Sequence, residues 1–208
     1  MKMERLLNDA LLPFLNENRP GNVQPAGVVQ LMVEDVKEKA LFDVVDTRHM
    51  GLPVVRDFGK GHASYLNDKR VHNLKVLLYE DFMNALGDVA KGRRRPDLMV
   101  YTTDSDSYFI IHELSIGSST NKRQDGKHQL GNTVQLLNRV PVIKEYLAAF
   151  SHRLCILSGA DGAVNTPDGI ADAFSEIYRQ VAEPEPLNCS LCRNGGFEAY
   201  ITHNVVLE

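Results

Sequence analysis

Two carboxylates in the middle of the chain, Asp97 and Glu113, have a spacing that suits a divalent-metal site. A turn segment, residues 104–107, separates two apolar runs, which predicts a β-hairpin. If the turn is centred on Ser105, Asp97 and Glu113 face each other directly, whereas a four-residue turn would shift them by one place. Like charges in that position are destabilising unless a cation neutralises them. Mg²⁺ prefers carboxylate oxygens, with water and phosphate as further ligands. The spacing therefore indicates phosphodiester chemistry.

Two basic segments flank the predicted hairpin. Residues 91–95 carry four positive charges, and residues 121–128 carry three against one negative. The net charge of −4 argues against a protein that coats nucleic acid, but a local basic surface is sufficient for binding, since only the residues that touch phosphates release counterions. The alternative is an ordinary solvated surface. The residues predicted to bind nucleic acid are Arg93, Arg94, Arg95, Lys122 and Arg123.

Helical and extended patterns alternate along the chain. Helices are predicted for 4–16, 72–90, 124–138, 141–150 and 166–182, and strands for 98–103, 108–114, 153–158 and 197–206. Residues 26–70 show no clear period. The alternation predicts an α/β fold, a three-layer α/β/α sandwich with a central mixed sheet. We expect a single domain over 1–208, with a helical or irregular extension (1–70), a core (71–182) and a tail hairpin (183–208).

The hairpin residues resemble the motif of a known family. Pro96-Asp97, separated by fifteen residues from Glu113-Leu114-Ser115, is similar to the signature of the PD-(D/E)XK nuclease superfamily, which includes most type II restriction endonucleases. The order of elements over 72–182 is similar too. The resemblance implies a restriction-endonuclease-like core and cleavage of DNA with Mg²⁺, or Mn²⁺ in its place. It also implies that Asp97, Glu113 and the backbone carbonyl of Leu114 hold the metal, with Glu80 on the preceding helix as a further ligand.

One position departs from the family pattern. The family has a lysine where this chain has Ser115, which cannot polarise water as an ammonium group does. Some members supply that lysine from the following helix, and Lys127 is the first candidate because it shares a sheet-facing stripe with Leu130. Lys122 is the second candidate, and Gln129 is expected to contact the attacking water or a phosphate. The alternative function is a catalytically inactive module that keeps the nuclease fold and binds nucleic acid or a partner protein.

The three cysteines, an odd number, do not indicate a disulfide framework. Cys189 and Cys192 form a lone CxxC, and a structural zinc site needs four ligands. His128 and His203 are the only additions the sequence offers, so two ordinary thiols are the favoured interpretation over zinc. A redox role would require the CxxC at a helix start, which the sequence does not predict. His112 alternates with Glu113 and is expected to point to the opposite face of the sheet, in a structural role.

Composition sets the remaining expectations. No apolar run approaches the roughly 20 residues of a membrane span, and the N-terminus lacks a signal-peptide core, which predicts a cytoplasmic protein. The expected partner is DNA. A homodimer remains open, since enzymes that cut both strands commonly use two symmetric active sites.

Overall fold

Two β-sheets form the framework of the protein, in a computed structural model that describes residues 2–46, 53–67, 71–115, 120–159 and 184–208. The strands of the larger sheet are β1 (Val33–Val36), β5 (Leu74–Leu78), β6 (Leu98–Thr102), β7 (Tyr108–Ser115), β8 (His152–Gly159), β9 (Glu185–Pro186) and β10 (Glu198–Ile201). Their order across the sheet is β1-β5-β6-β7-β8-β10-β9. β7, β8 and β10 are parallel, while the other neighbours are antiparallel. The central sheet is therefore mixed, as predicted.

The smaller sheet has four strands: β2 (Leu41–Val44), β3 (Val55–Arg56), β4 (Ala63–Leu66) and β11 (Asn204–Val206). β11 comes from the end of the chain and pairs in parallel with β4. The prediction that residues 1–70 form a helical or irregular extension is wrong in its second half, because residues 33–66 supply strands to both sheets. The predicted tail hairpin is also wrong, since β10 and β11 belong to different sheets.

Alternate residues of the larger sheet face two different layers. Met99 and Ile111 pack with the helices in one apolar cluster, whereas Val100 and Ile110 pack with Tyr65 of the smaller sheet in another. Within the described residues, the face opposite the helices is thus covered by the four-stranded sheet. In the described ranges this face carries short strands and not the expected helices, and strands of two to four residues are too few to show a period in the sequence.

The helices lie on the first face. They are α1 (Met3–Leu6), a π-helical segment (Leu7–Leu11) and α2 (Leu12–Glu17), followed by α3 (Tyr79–Ala85), α4 (Thr120–Asn138), α5 (Pro141–Ala148) and α6 (Ser190–Asn194). α4 and α5 connect the parallel strands β7 and β8, the crossover that parallel pairing requires. None of the described helices combines the length and the apolar character needed to cross a membrane.

The prediction of a helix over 72–90 is wrong in its first half. Residues Leu74–Leu78 form β5, which pairs with β1 on one side and β6 on the other. Leu74 and Leu78 fit a helical period, but they also fit a central strand buried on both faces. The pairing of this segment with β1 and β6 makes it a strand, although its apolar spacing fits both structures. The helix begins only at Tyr79.

The other elements largely follow the sequence. The hairpin of β6 and β7, the helix after Pro141 and strand β8 are confirmed. The N-terminal helix is confirmed over residues 3–17, with the π-helical segment in its middle. α4 begins at Thr120, four residues before the predicted start at Gln124. The helix predicted over 166–182 lies outside the described residues.

Candidate active site

Asp97 and Glu113 lie at the open end of the β6–β7 hairpin. Leu98 pairs with His112, so the same register continued by one residue sets Asp97 opposite Glu113. Both side chains are only 5% exposed. The Asp97 carboxylate accepts the backbone N–H of Leu114 at 2.6 Å, which fixes its orientation toward the end of β7. The directly opposed register predicted from a turn centred on Ser105 is confirmed.

Glu80 is brought beside this pair by the start of α3. The backbone carbonyl of Asp97 accepts the N–H groups of Tyr79 and Glu80, at 3.0 and 3.2 Å. The first turn of α3 is therefore attached directly to the residue that carries the first carboxylate. The Glu80 carboxylate also lies 4.0 Å from the Arg95 guanidinium. Glu80 thus lies next to Asp97, as the resemblance implied, although the element leading into it is a strand.

A small cavity of about 10 Å³ lies on the Glu80 side of Asp97, and Glu113 is not among its lining residues. Its walls include Asp46, Glu80, Asp81 and Asp97. A volume near 10–15 Å³ holds about one water molecule, so this space is on the scale of a single bound species. Asp46 comes two residues after β2 of the smaller sheet, and its backbone N–H donates to His62 Nδ1 at 2.9 Å. Neither Asp46 nor Asp81 was identified from the sequence. Asp46 reaches the cavity only because the smaller sheet packs on the larger one.

The donor set suits a hard, oxygen-preferring cation. In the part of the chain that the structure describes, no three His, Cys, Asp or Glu side chains form a group that would hold a metal by themselves. Mg²⁺ does not require one, since it is commonly bound by one or two carboxylates and completes its shell with water and substrate phosphate. Asp97 and Glu113 would supply the carboxylates. The N–H of the buried Leu114 donates to Asp97, so the backbone of this residue lies beside the pair.

Helix α4 lies directly over Glu113, and a glycine makes this approach possible. A Cβ atom at Gly126 would lie 2.5 Å from Leu157 Cδ1 and 3.4 Å from Glu113 Cγ. The first distance is shorter than carbon atoms tolerate, so the Leu157 side chain or the helix would have to move to admit a side chain at position 126. Gly126 is therefore the point at which α4 comes close to Glu113.

The two candidate lysines lie on opposite flanks of α4. Lys127 lies one turn before Gly131, at which a Cβ atom would be 3.1 Å from Cys189 Sγ, so this flank of α4 faces α6. Lys122 lies two turns before Gln129 and on nearly the same side of the helix. Gln129 Nε2 donates to the Arg95 carbonyl at 2.8 Å, so this flank faces the loop that leads into Asp97. Lys122 is exposed and on the Asp97 side, whereas Lys127 is half-buried on the far side.

Gln129 and the basic loop have structural partners. The Gln129 amide holds the Arg95 carbonyl, so its nitrogen orients the loop and is not directed at water or phosphate. Arg94 pairs with Asp125 on α4. Arg123 points the other way, 3.8 Å from Glu185. The predicted nucleic-acid set therefore divides between the two flanks of the helix. Ser115 is the last residue of β7, and its side chain is outside the described part of the structure.

His112 faces away from the acidic pair, as predicted, and is fully buried. Its Nε2 lies 2.8 Å from Ser158 Oγ, and its Nδ1 lies 2.8 Å from Tyr65 Oη. Ser158 donates its hydroxyl to the Thr202 carbonyl, so it accepts from Nε2–H, and Nδ1 accepts from Tyr65. The neutral ring therefore links the two sheets. Burial, followed by the charge of His203, lowers the pKa of His112 to about 3.

Acidification is expected to destabilise the protein through His112. The unfolded chain protonates this ring below about pH 6.5, whereas the folded protein keeps it neutral down to about pH 3. The unfolded state then binds more protons, so the free energy of unfolding should fall by about 1.4 kcal/mol per pH unit within that window. Urea unfolding of the wild type and of His112→Gln at several pH values measures this. The stability advantage of the wild type should shrink as pH falls; an advantage that stays constant would contradict the assignment.

The three cysteines lie close together in the core. Cys189 and Cys192 have their sulfur atoms 3.0 Å apart, and all three thiols are buried. The Cys189–Cys192 contact and burial raise the pKa of Cys189, while a hydrogen bond with Cys155 and burial raise that of Cys192. The expectation that the CxxC lies away from a helix start is wrong, since Cys189 directly precedes α6. Thiols held in the protonated form are nevertheless poor nucleophiles and poor zinc ligands.

No protein-family model, no curated protein and no solved structure matches the chain.

Proposed function

We propose that this protein is a Mg²⁺-dependent nuclease that hydrolyses phosphodiester bonds in DNA, with a restriction-endonuclease-like core. The observation that carries the proposal is the buried pair of carboxylates, Asp97 and Glu113, in direct register at the end of one hairpin. Burial of two like charges at opposed positions is costly unless the site is built for a cation. The basic loop that leads into Asp97 supplies the charge that attracts a phosphate backbone.

The proposed metal ligands are Asp97, Glu113 and the Leu114 carbonyl, with Glu80 adjacent. Bound there, Mg²⁺ would supply Lewis-acid stabilisation of the scissile phosphate and an activated water. The hydrogen bond from the Leu114 N–H holds the Asp97 carboxylate in one orientation, which limits the reorganisation needed on binding. Mn²⁺ has similar ligand preferences and should substitute for Mg²⁺.

Lys122 is the residue we assign to the attacking water, in preference to Lys127. It lies on the α4 flank that faces Asp97, one turn before Gly126, which lies over Glu113. An ammonium group on that flank can orient a water molecule and donate hydrogen bonds to the developing charge. Gln129 and Arg95 act as positioning residues, because their hydrogen bond joins the helix to the loop.

The proposal predicts cleavage that depends on a divalent metal. Supercoiled plasmid and single-stranded DNA should be cut in Mg²⁺ or Mn²⁺ and left intact in EDTA. Restoring excess Mg²⁺ after EDTA should restore the activity. Gel electrophoresis of the products over time measures all three conditions.

The alternative is a module that keeps the nuclease fold and binds without cutting. The presence of Ser115 in place of the family lysine favours it. DNA binding without cleavage in either metal would support this alternative and overturn the enzymatic proposal.

A further inference from the structure

A cleft of about 200 Å³ lies between the basic loop and the C-terminal half of α4, beyond the acidic pair. Arg93 and Arg94 line it from the loop, and Asn132, Gln135 and Arg139 line it from the helix and the residue that follows it. Three guanidinium groups and two side-chain amides thus share one concave surface, and no carboxylate is among the lining residues. Such a set of hydrogen-bond donors is suited to an anion.

Much of the positive charge in this cleft is not neutralised. Arg94 is paired with Asp125, but in the described ranges neither Arg93 nor Arg139 has a carboxylate within ion-pair distance. Two like charges held in one cleft repel each other, and an anion between them would relieve that repulsion. Arg139 is exposed and Arg93 half-buried, so both are accessible to a ligand.

The shape of the loop supports this arrangement. Gly92 has φ +75°, in the left-handed region where a side chain is strained. That turn allows the chain to present Arg93 and Arg94 toward α4 before it continues to Arg95, which lies near Glu80. One loop therefore directs neighbouring arginines to two places, the cleft and the Glu80 carboxylate.

We propose that this cleft is a phosphate-binding subsite for a nucleic-acid strand. Arg93 and Arg139 supply the charges, and Asn132 and Gln135 donate hydrogen bonds to the phosphate oxygens. The cleft is centred about nine residues along α4 from Gly126, a separation of about 14 Å. The axial rise of a duplex is about 3.4 Å per nucleotide, so for a duplex whose axis runs parallel to α4 the bound phosphate lies about four nucleotides from the one at Glu113. That last step rests on the proposed nuclease function, whereas the binding of phosphate does not.

Fluorescence anisotropy with a short labelled DNA duplex, in EDTA and across a range of salt concentrations, tests the subsite without any cleavage. Arg139→Gln is expected to weaken binding about tenfold and to lower the slope of log Kd against log salt by about 1. Arg93→Gln should act in the same way. The matched control is Arg193→Gln, which removes an equal charge from an exposed position on α6, and it should leave both quantities unchanged.

The outcomes are separable from those of the cleavage assay. Equal weakening by Arg193→Gln would show a general charge effect, and an unchanged Kd or salt slope for Arg139→Gln would show that the cleft holds no strand phosphate. Failure of the wild type to bind DNA, or competition by inorganic phosphate as strong as by unlabelled duplex, would also overturn the subsite. Arginine-dependent binding without any cleavage would support the subsite and count against the nuclease.

Discussion

The variant Asp97→Asn is expected to lower metal-dependent cleavage at least about 100-fold while the protein remains folded. A catalytic metal contributes several kcal/mol of transition-state stabilisation, and each 1.4 kcal/mol corresponds to a factor of ten in rate. Asparagine retains a side-chain oxygen that can accept the Leu114 N–H, so the orientation seen in the structure is preserved. Only the charge that binds the metal is removed. Cleavage rates of the purified variant, measured at saturating Mg²⁺, provide the test.

The matched control for this variant is Asp88→Asn. Asp88 lies in a 3₁₀ helix, Gly87–Ala90, just before the basic loop. It is well exposed, and its carboxylate forms an ion pair with Lys91 at 3.6 Å. Its replacement changes the net charge by the same amount, so it should keep the cleavage rate of the wild type. If Asp97→Asn cuts as fast as Asp88→Asn, Asp97 is not a metal ligand.

Thermal unfolding gives a second measurement on the same protein. A ligand that binds only the folded state stabilises it by about 2.7 kcal/mol at one hundred times its Kd. The wild type should therefore show a higher Tm in Mn²⁺ or Mg²⁺ than in EDTA, and Asp97→Asn should lose most of that increase. An equal increase in both proteins would place the metal at another site.

The sequence identified the hairpin and its register because both depend on local pattern. β6 and β7 alternate apolar residues on two faces and are joined by a short polar turn, which leaves one register that buries both sets. Asp97 and Glu113 follow directly from that register. The presence of basic residues near Asp97 could also be predicted, since the basic segment precedes Asp97 in the chain by only a few residues.

The smaller sheet could not be predicted because its pairing is not local. β4 pairs with β11, whose residues lie about 140 positions further along the chain, and Phe42 stacks on Tyr65 with ring centroids 5.0 Å apart. Each strand is too short to show alternation by itself. Asp46 enters the acidic cavity through this sheet, so no local signal in the sequence indicated it.

The prediction for α4 differs from the structure at the helix start, which lies four residues earlier than predicted. The prediction of Lys127 rests on its spacing to Leu130, whereas the preference for Lys122 depends on the flank of the folded helix that each lysine occupies. Each residue turns the helix by about 100°, so one position separates Gly126, which lies over Glu113, from Lys127, on the flank that faces α6. Only the contacts of the folded protein show which of these two residues lies toward Glu113.

The variant Lys122→Met is expected to reduce cleavage about 100-fold or more, whereas Lys127→Met should have little effect. Positioned groups that move protons or orient water typically contribute a factor of 10²–10⁴. Methionine keeps the unbranched apolar stem of lysine and removes only the ammonium group, so the packing of the half-buried Lys127 stem is retained. Single-turnover rates with saturating metal isolate the chemical step from DNA binding.

The pair of variants is informative because the two lysines belong to one helix and carry the same charge. A general loss of attraction for DNA would affect both equally and would appear in the Kd, whereas loss of an oriented water affects the rate at saturating protein. Lys122→Arg keeps the charge in a different geometry, so it should bind DNA like the wild type and cut more slowly. The opposite order, with Lys127→Met inactive and Lys122→Met active, would contradict the placement of Lys122 on the Asp97 side. If both variants keep the activity of the wild type, cleavage proceeds without a lysine from α4.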